Sequence, residues 1–193
     1  MDFPLSRQIA PGLTFVAETG STNADLVTNY ANTDDFTVLV AGFQSAGRGR
    51  AGRDWLAPAG SSLFVSVLLK PVGVPAERFS WLPLLSGLAM ANAVTRFLPD
   101  KEVSLKWPND VYISNKKVAG ILIKNSLNFH KVQSTIISVG LNVNQPSFPD
   151  FLPSATSVFL NTSKDPKSRV IKLAIVSLGA PPDLGAMPSQ NNE

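Results

Sequence analysis

The segment Gly42-Phe43-Gln44-Ser45-Ala46-Gly47-Arg48-Gly49-Arg50-Ala51-Gly52-Arg53-Asp54-Trp55 lies between two apolar runs, residues 36–43 and 61–70. Both runs have strand composition, and the second is apolar on both faces, which places it inside a sheet. A glycine and arginine loop that joins two strands narrows the possible folds sharply. Gly47-x-Gly49-x-x-Gly52 matches the dinucleotide fingerprint letter by letter. That fingerprint works by aiming a helix N-terminus at a pyrophosphate, whereas here Pro58, Gly60 and then a strand follow. A Rossmann-type nucleotide site is therefore excluded. A kinase glycine loop also joins strands, but His-Arg-Asp, Asp-Phe-Gly and a Gly-Lys-Ser/Thr phosphate loop are all absent from the sequence. What the loop offers is close backbone approach and the planar charges of Arg48, Arg50 and Arg53, suited to phosphate or carboxylate.

Composition limits the chemistry further. Cysteine is absent and His130 is the single histidine of the 193 residues. Disulfides, Cys or His zinc sites and Cys nucleophiles are thereby ruled out, and His-based triads are disfavoured. Reactive groups must come from Lys, Arg, Asp, Asn and the backbone. With 44% hydrophobic and 16% charged residues, a chain of this length buries roughly 70% of its unfolded surface, enough for one core. The net charge of +3 favours anionic ligands but falls short of a dedicated nucleic-acid binder. A lone Gly-Arg cluster without interleaved aromatics adds little to that possibility. No run approaches the ~20 apolar residues of a membrane span, and no secretory leader is recognisable, so a soluble, cytoplasmic protein is expected.

Along the chain, residues 14–18 read as a strand, and Ser21 or Thr22 caps a helix running to about Ala31, with Asp25 in its first turn. Taken alone, Ser21-Thr22-Asn23 is a helix cap; the alternative is that its hydroxyls and amide face a polar ligand. From Phe79 the apolar residues Trp81, Leu84, Leu85, Leu88, Ala91, Val94 and Leu98 follow helical spacing and predict a core-covering helix. Residues 103–113 read as strand, proline-marked turn and strand. Asn115 with Lys116 and Lys117 predicts a hairpin turn before a strand to Lys124 that Gly120 interrupts. A further strand over 134–143 ends in the amides Asn142 and Asn144. Short connections and few helices predict an α+β fold: a mixed, largely antiparallel sheet with helices packed on one side.

At this point the motifs resemble a known family, the catalytic domain of biotin protein ligases, with its class II synthetase-like sheet. The resemblance rests on Ser21-Thr22-Asn23, the loop 44–53 with Trp55, Lys106-Trp107-Pro108-Asn109-Asp110, Lys117-Val118-Ala119-Gly120-Ile121-Leu122 and Gly140-Leu141-Asn142-Val143-Asn144. They stand in the family's order over residues 14–160.

The resemblance implies a two-step reaction. The carboxylate of biotin attacks the α-phosphate of ATP, giving biotinyl-5′-AMP and pyrophosphate; a lysine of a biotin carboxyl carrier domain then attacks the mixed anhydride. Bringing two anions together calls for Arg, Lys and Mg²⁺ at the reacting centre. By the family's pattern Lys117 bridges the biotin carboxylate and the α-phosphate. Arg48, Gly49 and Arg50 belong to a loop that orders over biotin and holds the adenylate. Ser21, Thr22 and Gln44 line the ureido end, Asn23 binds biotin or the adenylate, Gly47 and Gly120 admit the ligand, and Trp55 packs against the adenine or the ordered loop. Asn109 and Asn142 face the nucleotide. Lys106 makes a phosphate contact, and Asp110 either orients the acceptor amine or helps to hold Mg²⁺; the metal's ligands are not assigned.

Two departures from the family's pattern bear on the expected domains. The catalytic domain is expected over residues 1–178, with a possible helix at 164–178 and a Pro, Gly and amide-rich disordered tail at 179–193. Neither an N-terminal DNA-binding domain nor a complete C-terminal β domain is read from the sequence. The alternative to an active ligase is therefore a truncated protein that binds biotin or its adenylate with impaired transfer. No nucleic-acid or membrane partner is expected; a homodimer is possible by analogy with the family.

Overall fold

The computed structural model describes residue 10, residues 12–71 and residues 74–162. The expected helix at 164–178 and tail at 179–193 lie outside the described residues. In chain order the elements are β1 (Leu13–Val16), α1 (Thr22–Asn29), β2 (Val38–Ala41), β3 (Ser62–Leu69), α2 (Leu82–Phe97), β4 (Val103–Lys106), β5 (Asp110–Ile113), β6 (Lys116–Asn128) and β7 (Lys131–Asn142). They build one seven-stranded sheet in the order β1-β2-β3-β7-β6-β5-β4. Only β1 and β2, joined through α1, run parallel; every other pair is antiparallel. The mixed, largely antiparallel α+β class is thus the expected one.

Residue alternation explains the layers, because successive side chains of a strand point to opposite faces. Val38, Val40, Leu63, Val65, Val111, Ile113, Ile121 and Leu141 face the main core, which Met90, Ala91 and Val94 of α2 cover. On the opposite face Leu68 and Ile136 meet Leu26 of α1. The two helices therefore divide between the faces, and the expectation that both pack on one side does not hold. The reason is local: α1 follows the first strand directly and is drawn over β3 and β7 by Leu26.

A second correction concerns α2. Its buried residues are Gly87, Met90, Ala91, Ala93 and Val94, whereas Trp81 at 64% exposure, Leu84, Leu85 and Leu88 face outward. Small residues let this helix approach the sheet closely; a methyl group at Gly87 would stand 3.3 Å from Leu105 Cδ2. The predicted stripe therefore holds in its second half, where Ala91, Val94 and Leu98 pack in the core, and fails in its first. The hairpin between β5 and β6 also turns one residue earlier than expected, on Ser114 and Asn115, both at positive φ, so Lys116 already belongs to β6.

Candidate active site

The face of the sheet that carries α1 also carries a cleft enclosing about 470 Å³. Its floor is glycine. Gly120 of β6 and Gly140 of β7 are directly opposed across the strands, and both underlie the indole of Trp55. A methyl group at Gly120 would stand 2.9 Å from Trp55 Cζ3, and one at Gly140 would stand 3.0–3.2 Å from three indole atoms. Two bare backbones side by side are what allow an aromatic ring to lie flat on the sheet.

Trp55 belongs to the glycine and arginine loop, which links β2 to β3 as predicted and folds back on itself. Gly49 N–H donates to Arg53 O at 2.7 Å and Trp55 N–H to Gly47 O at 2.9 Å. Ala51 and Gly52, at φ 55° and 73°, make the turn. Arg48 and Arg50 stand at the mouth of the cleft, and Arg50 Nη1 donates to Asn109 Oδ1 at 3.1 Å. Asn109 is itself fixed, its Nδ2 donating to Ile121 O at 2.9 Å. The loop is thereby tied to β6 through one asparagine.

Lys117 reaches the cleft because β6 is irregular. Tyr112 pairs with Lys117 but Val111 pairs with Ala119, so Val118 is an extra residue. In an even strand Lys117 would share a face with Ala119 and point into the core; the bulge turns it onto the face of Gly120 instead. Its Nζ stands 3.2 Å from the place a Gly120 methyl would occupy and 5.5 Å from the Trp55 ring centroid. The turned backbone is bonded elsewhere: Lys117 N–H donates to Ser154 O at 2.7 Å, and Thr156 N–H donates to Lys117 O at 2.8 Å. Asp110 Oδ1 lies 2.8 Å from Lys117 Nζ, an ion pair outside the geometry of a directed hydrogen bond.

At the other end of the cleft stand neutral polar groups. Ser21 occupies the N-cap of α1 but makes no capping hydrogen bond, so the simple cap does not account for it. Thr22 donates to Gln44 Oε1 through both its N–H at 2.8 Å and its hydroxyl at 3.0 Å. Asn23 Nδ2 donates to Ser138 Oγ at 2.7 Å, and its Oδ1 is buried with no partner among the described residues. The cleft is therefore graded, neutral at the α1 end and cationic at the Lys117 end.

A model of the biotin/lipoate A/B protein ligase family matches residues 15–144, a span that contains every residue lining this cleft. The chain belongs to that family. It is 40% identical over 174 residues to the biotin--[acetyl-CoA-carboxylase] ligase of Mycobacterium tuberculosis, covering 87% of this chain and 63% of that protein. In three dimensions it is similar to the biotin protein ligase of Aquifex aeolicus in complex with biotin and ATP, with TM-score 0.70, 35% identity, and 86% of this chain and 67% of that one covered. The biotin protein ligase of Leishmania major in complex with biotinyl-5-AMP aligns with TM-score 0.68, 28% identity, and coverage of 87% and 74%. The chain thus spans less than two thirds of the length of the M. tuberculosis ligase.

The biotin/lipoate ligase motifs of the sequence do not all arrive at the cleft. Four of the expected residues, Gly47, Lys106, Asp110 and Asn142, are not among those lining it. Gly47 is needed for the loop's own packing, since a methyl group there would stand 2.9 Å from Trp55 O. Lys106 is exposed, with its Nζ 5.1 Å from the Tyr112 ring centroid. Asp110 is ion-paired with the cleft-lining Lys117. Asn142 is buried, and its Nδ2 donates to Thr156 O at 3.0 Å, which supports the segment that holds the Lys117 backbone. Conversely, Ser138 lines the cleft without having been singled out, Gly140 lines it though its motif gave it no role, and Ser66 stands directly behind it. The signal for Ser66 was a hydroxyl interrupting an otherwise apolar strand.

Among the described residues no helix is long and apolar enough to cross a membrane.

Proposed function

We propose that this chain activates biotin with ATP and transfers the biotinyl group to a lysine of a biotin carboxyl carrier domain. The observation that carries the reading is the grading of the cleft. Thr22, Asn23 and Gln44 suit a neutral head rich in donors and acceptors, while Lys117, Arg48 and Arg50 suit an anionic tail where it meets a phosphate. Lipoate, the other substrate class of the family's name, would present an apolar dithiolane to these amides and leave them unpaired, at a cost of about 1–3 kcal/mol for each buried group.

In the first step a biotin carboxylate oxygen bonds to the α-phosphorus and the bond to pyrophosphate breaks. Lys117 and the two arginines reduce the repulsion between the anions and stabilise charge on the phosphoryl oxygens. In the second step the acceptor amine bonds to the acyl carbon, AMP leaves with the bridging oxygen, and the amine loses a proton. Asp110, close to Lys117, is the carboxylate available to orient that amine. The nucleotide extends from Arg50 and Asn109 into an adjoining groove of about 1970 Å³ that both residues also line. Among the described residues no cluster of three metal-ligating side chains exists, so the chain fits Mg²⁺ carried on the nucleotide's phosphates rather than in a cage of its own.

The Trp55 loop forms one wall of the cleft, and its closing over the adenylate would exclude water from the anhydride. Labelled biotin, MgATP and a carrier domain, followed separately for adenylate and for transfer, test the reading. Both products should form, and Lys117→Ala should lower adenylate formation by about a hundredfold or more. Adenylate without transfer would reduce the function to activation alone, and undiminished activity in Lys117→Ala would refute the role given to the lysine.

A further inference from the structure

Behind the neutral end of the cleft five side chains form an unbroken string. Asn23 Nδ2 lies 2.7 Å from Ser138 Oγ, Ser138 Oγ 2.8 Å from Ser66 Oγ, Ser66 Oγ 2.7 Å from Thr22 Oγ1, and Thr22 Oγ1 3.0 Å from Gln44 Oε1. Each hydroxyl has one proton to donate. Fixing any one contact therefore fixes all the others. Taken alone, the string has two self-consistent directions, because turning both amides and reversing all three hydroxyls gives an equally complete set.

The backbone N–H of Thr22 removes that freedom. It donates at 2.8 Å to the same Gln44 atom that the Thr22 hydroxyl contacts. A backbone N–H cannot accept, so that atom is the carbonyl Oε1, and the Thr22 hydroxyl must donate to it as well. Thr22 Oγ1 then accepts from Ser66, Ser66 accepts from Ser138, and Ser138 accepts from the amide of Asn23. The atom facing Ser138 is consequently Nδ2. One peptide group has set the orientation of an asparagine at the far end of the string.

We infer that Ser66 and Ser138 are positioning residues that transmit this polarity and so determine how the cleft reads the head of its ligand. With Nδ2 held inward, Asn23 is left with Oδ1, an acceptor on a residue only 4% exposed that has no partner. With Oε1 doubly occupied, Gln44 is left with Nε2, a donor. Both residues line the cleft, so the groups they have left, an acceptor on one and a donor on the other, are the complement of a cyclic urea, which has N–H and C=O on adjacent atoms. A head group with a carbonyl in place of the urea N–H would set two acceptors against each other. Ser66 itself is 0% exposed and acts only through its neighbours.

This inference rests on the biotin reading, and titration calorimetry with biotin on the full chain separates the two. Wild type, Ser138→Ala, Ser66→Ala, Asn23→Ala and the double variant Asn23→Ala/Ser138→Ala are compared, with melting temperatures recorded alongside. Ser138→Ala and Ser66→Ala should each weaken biotin about tenfold, one hydrogen bond's worth, with ATP binding unchanged. In the Asn23→Ala background, Ser138→Ala should add less than about twofold, because the group it orients is gone. An equal loss in both backgrounds, or no loss in either single serine variant, overturns the inference while the biotin reading stands. A wild-type protein that does not bind biotin overturns both.

Discussion

Gly140→Ala tests whether the glycine floor seats the Trp55 loop. The new methyl group would stand 3.0 Å from Cε2, 3.1 Å from Cζ2 and 3.2 Å from Cδ2 of Trp55. All three contacts lie several tenths of an ångström inside ordinary carbon–carbon distance. They fall on one rigid ring, so the indole must shift off β7 as a unit. Overpacking of this kind costs about 1–3 kcal/mol. Because the ring rests on the outer surface of the sheet and not in the main core, the cost should fall on loop closure rather than on global unfolding. At about 1.4 kcal/mol per tenfold, biotin affinity should then fall by roughly 5-fold to 150-fold, with a melting temperature within a degree or two of wild type. Calorimetric titration and a thermal melt on the same preparation give both numbers. A lowered melting temperature with unchanged biotin affinity would refute the argument, because it would make Trp55 part of the structural core rather than a movable wall.

Two further expectations follow from the placement of motif residues. Asn142→Ala removes the donor to Thr156 O and leaves a buried carbonyl unpaired, at about 1–3 kcal/mol; the melt should shift down by several degrees, whereas an unaltered melt with weakened ATP binding would restore the nucleotide role first expected of this residue. Lys106→Ala should leave adenylate formation within about twofold of wild type, because an exposed cation over a tyrosine ring contributes about 0.5–1 kcal/mol locally; a hundredfold loss in the adenylate assay would show that the side chain swings to the phosphates during the reaction.

The class of fold was legible because strand patterns and short connections are local, and the loop at 42–55 was legible because its glycines fail every helix-capped phosphate motif. Lys117 could be singled out from its motif, but not the reason it points into the cleft. That depends on Val118 being an extra residue between two paired strands, a property of register that one strand's sequence does not contain. The face of α2 was misjudged only in its first half: Leu84, Leu85 and Leu88 keep the helical spacing yet face outward, because the close approach there is made by Gly87, which a pattern of apolar residues passes over. Gly120 and Gly140 each look like an ordinary strand interruption until pairing sets them side by side. Ser66 and Ser138 likewise lie 72 positions apart, and only the antiparallel pairing of β3 with β7 makes them neighbours. Motifs named the residues well where the chain itself is local, and poorly where strand pairing decides.

The bulge at Val118 has a mechanical consequence for the site. A bulge ordinarily leaves loose backbone, yet here residues 154–156 close over Lys117 from the free side, and Asn142 holds that segment in turn. The lysine is carried on a rigid anvil of paired strands whose shape is set before any ligand arrives. The arginines opposite ride on a short hairpin with little beneath it but two glycines and an indole. The cleft thus draws its positive charge from two differently built walls, a lysine on paired strands and two arginines on a short loop.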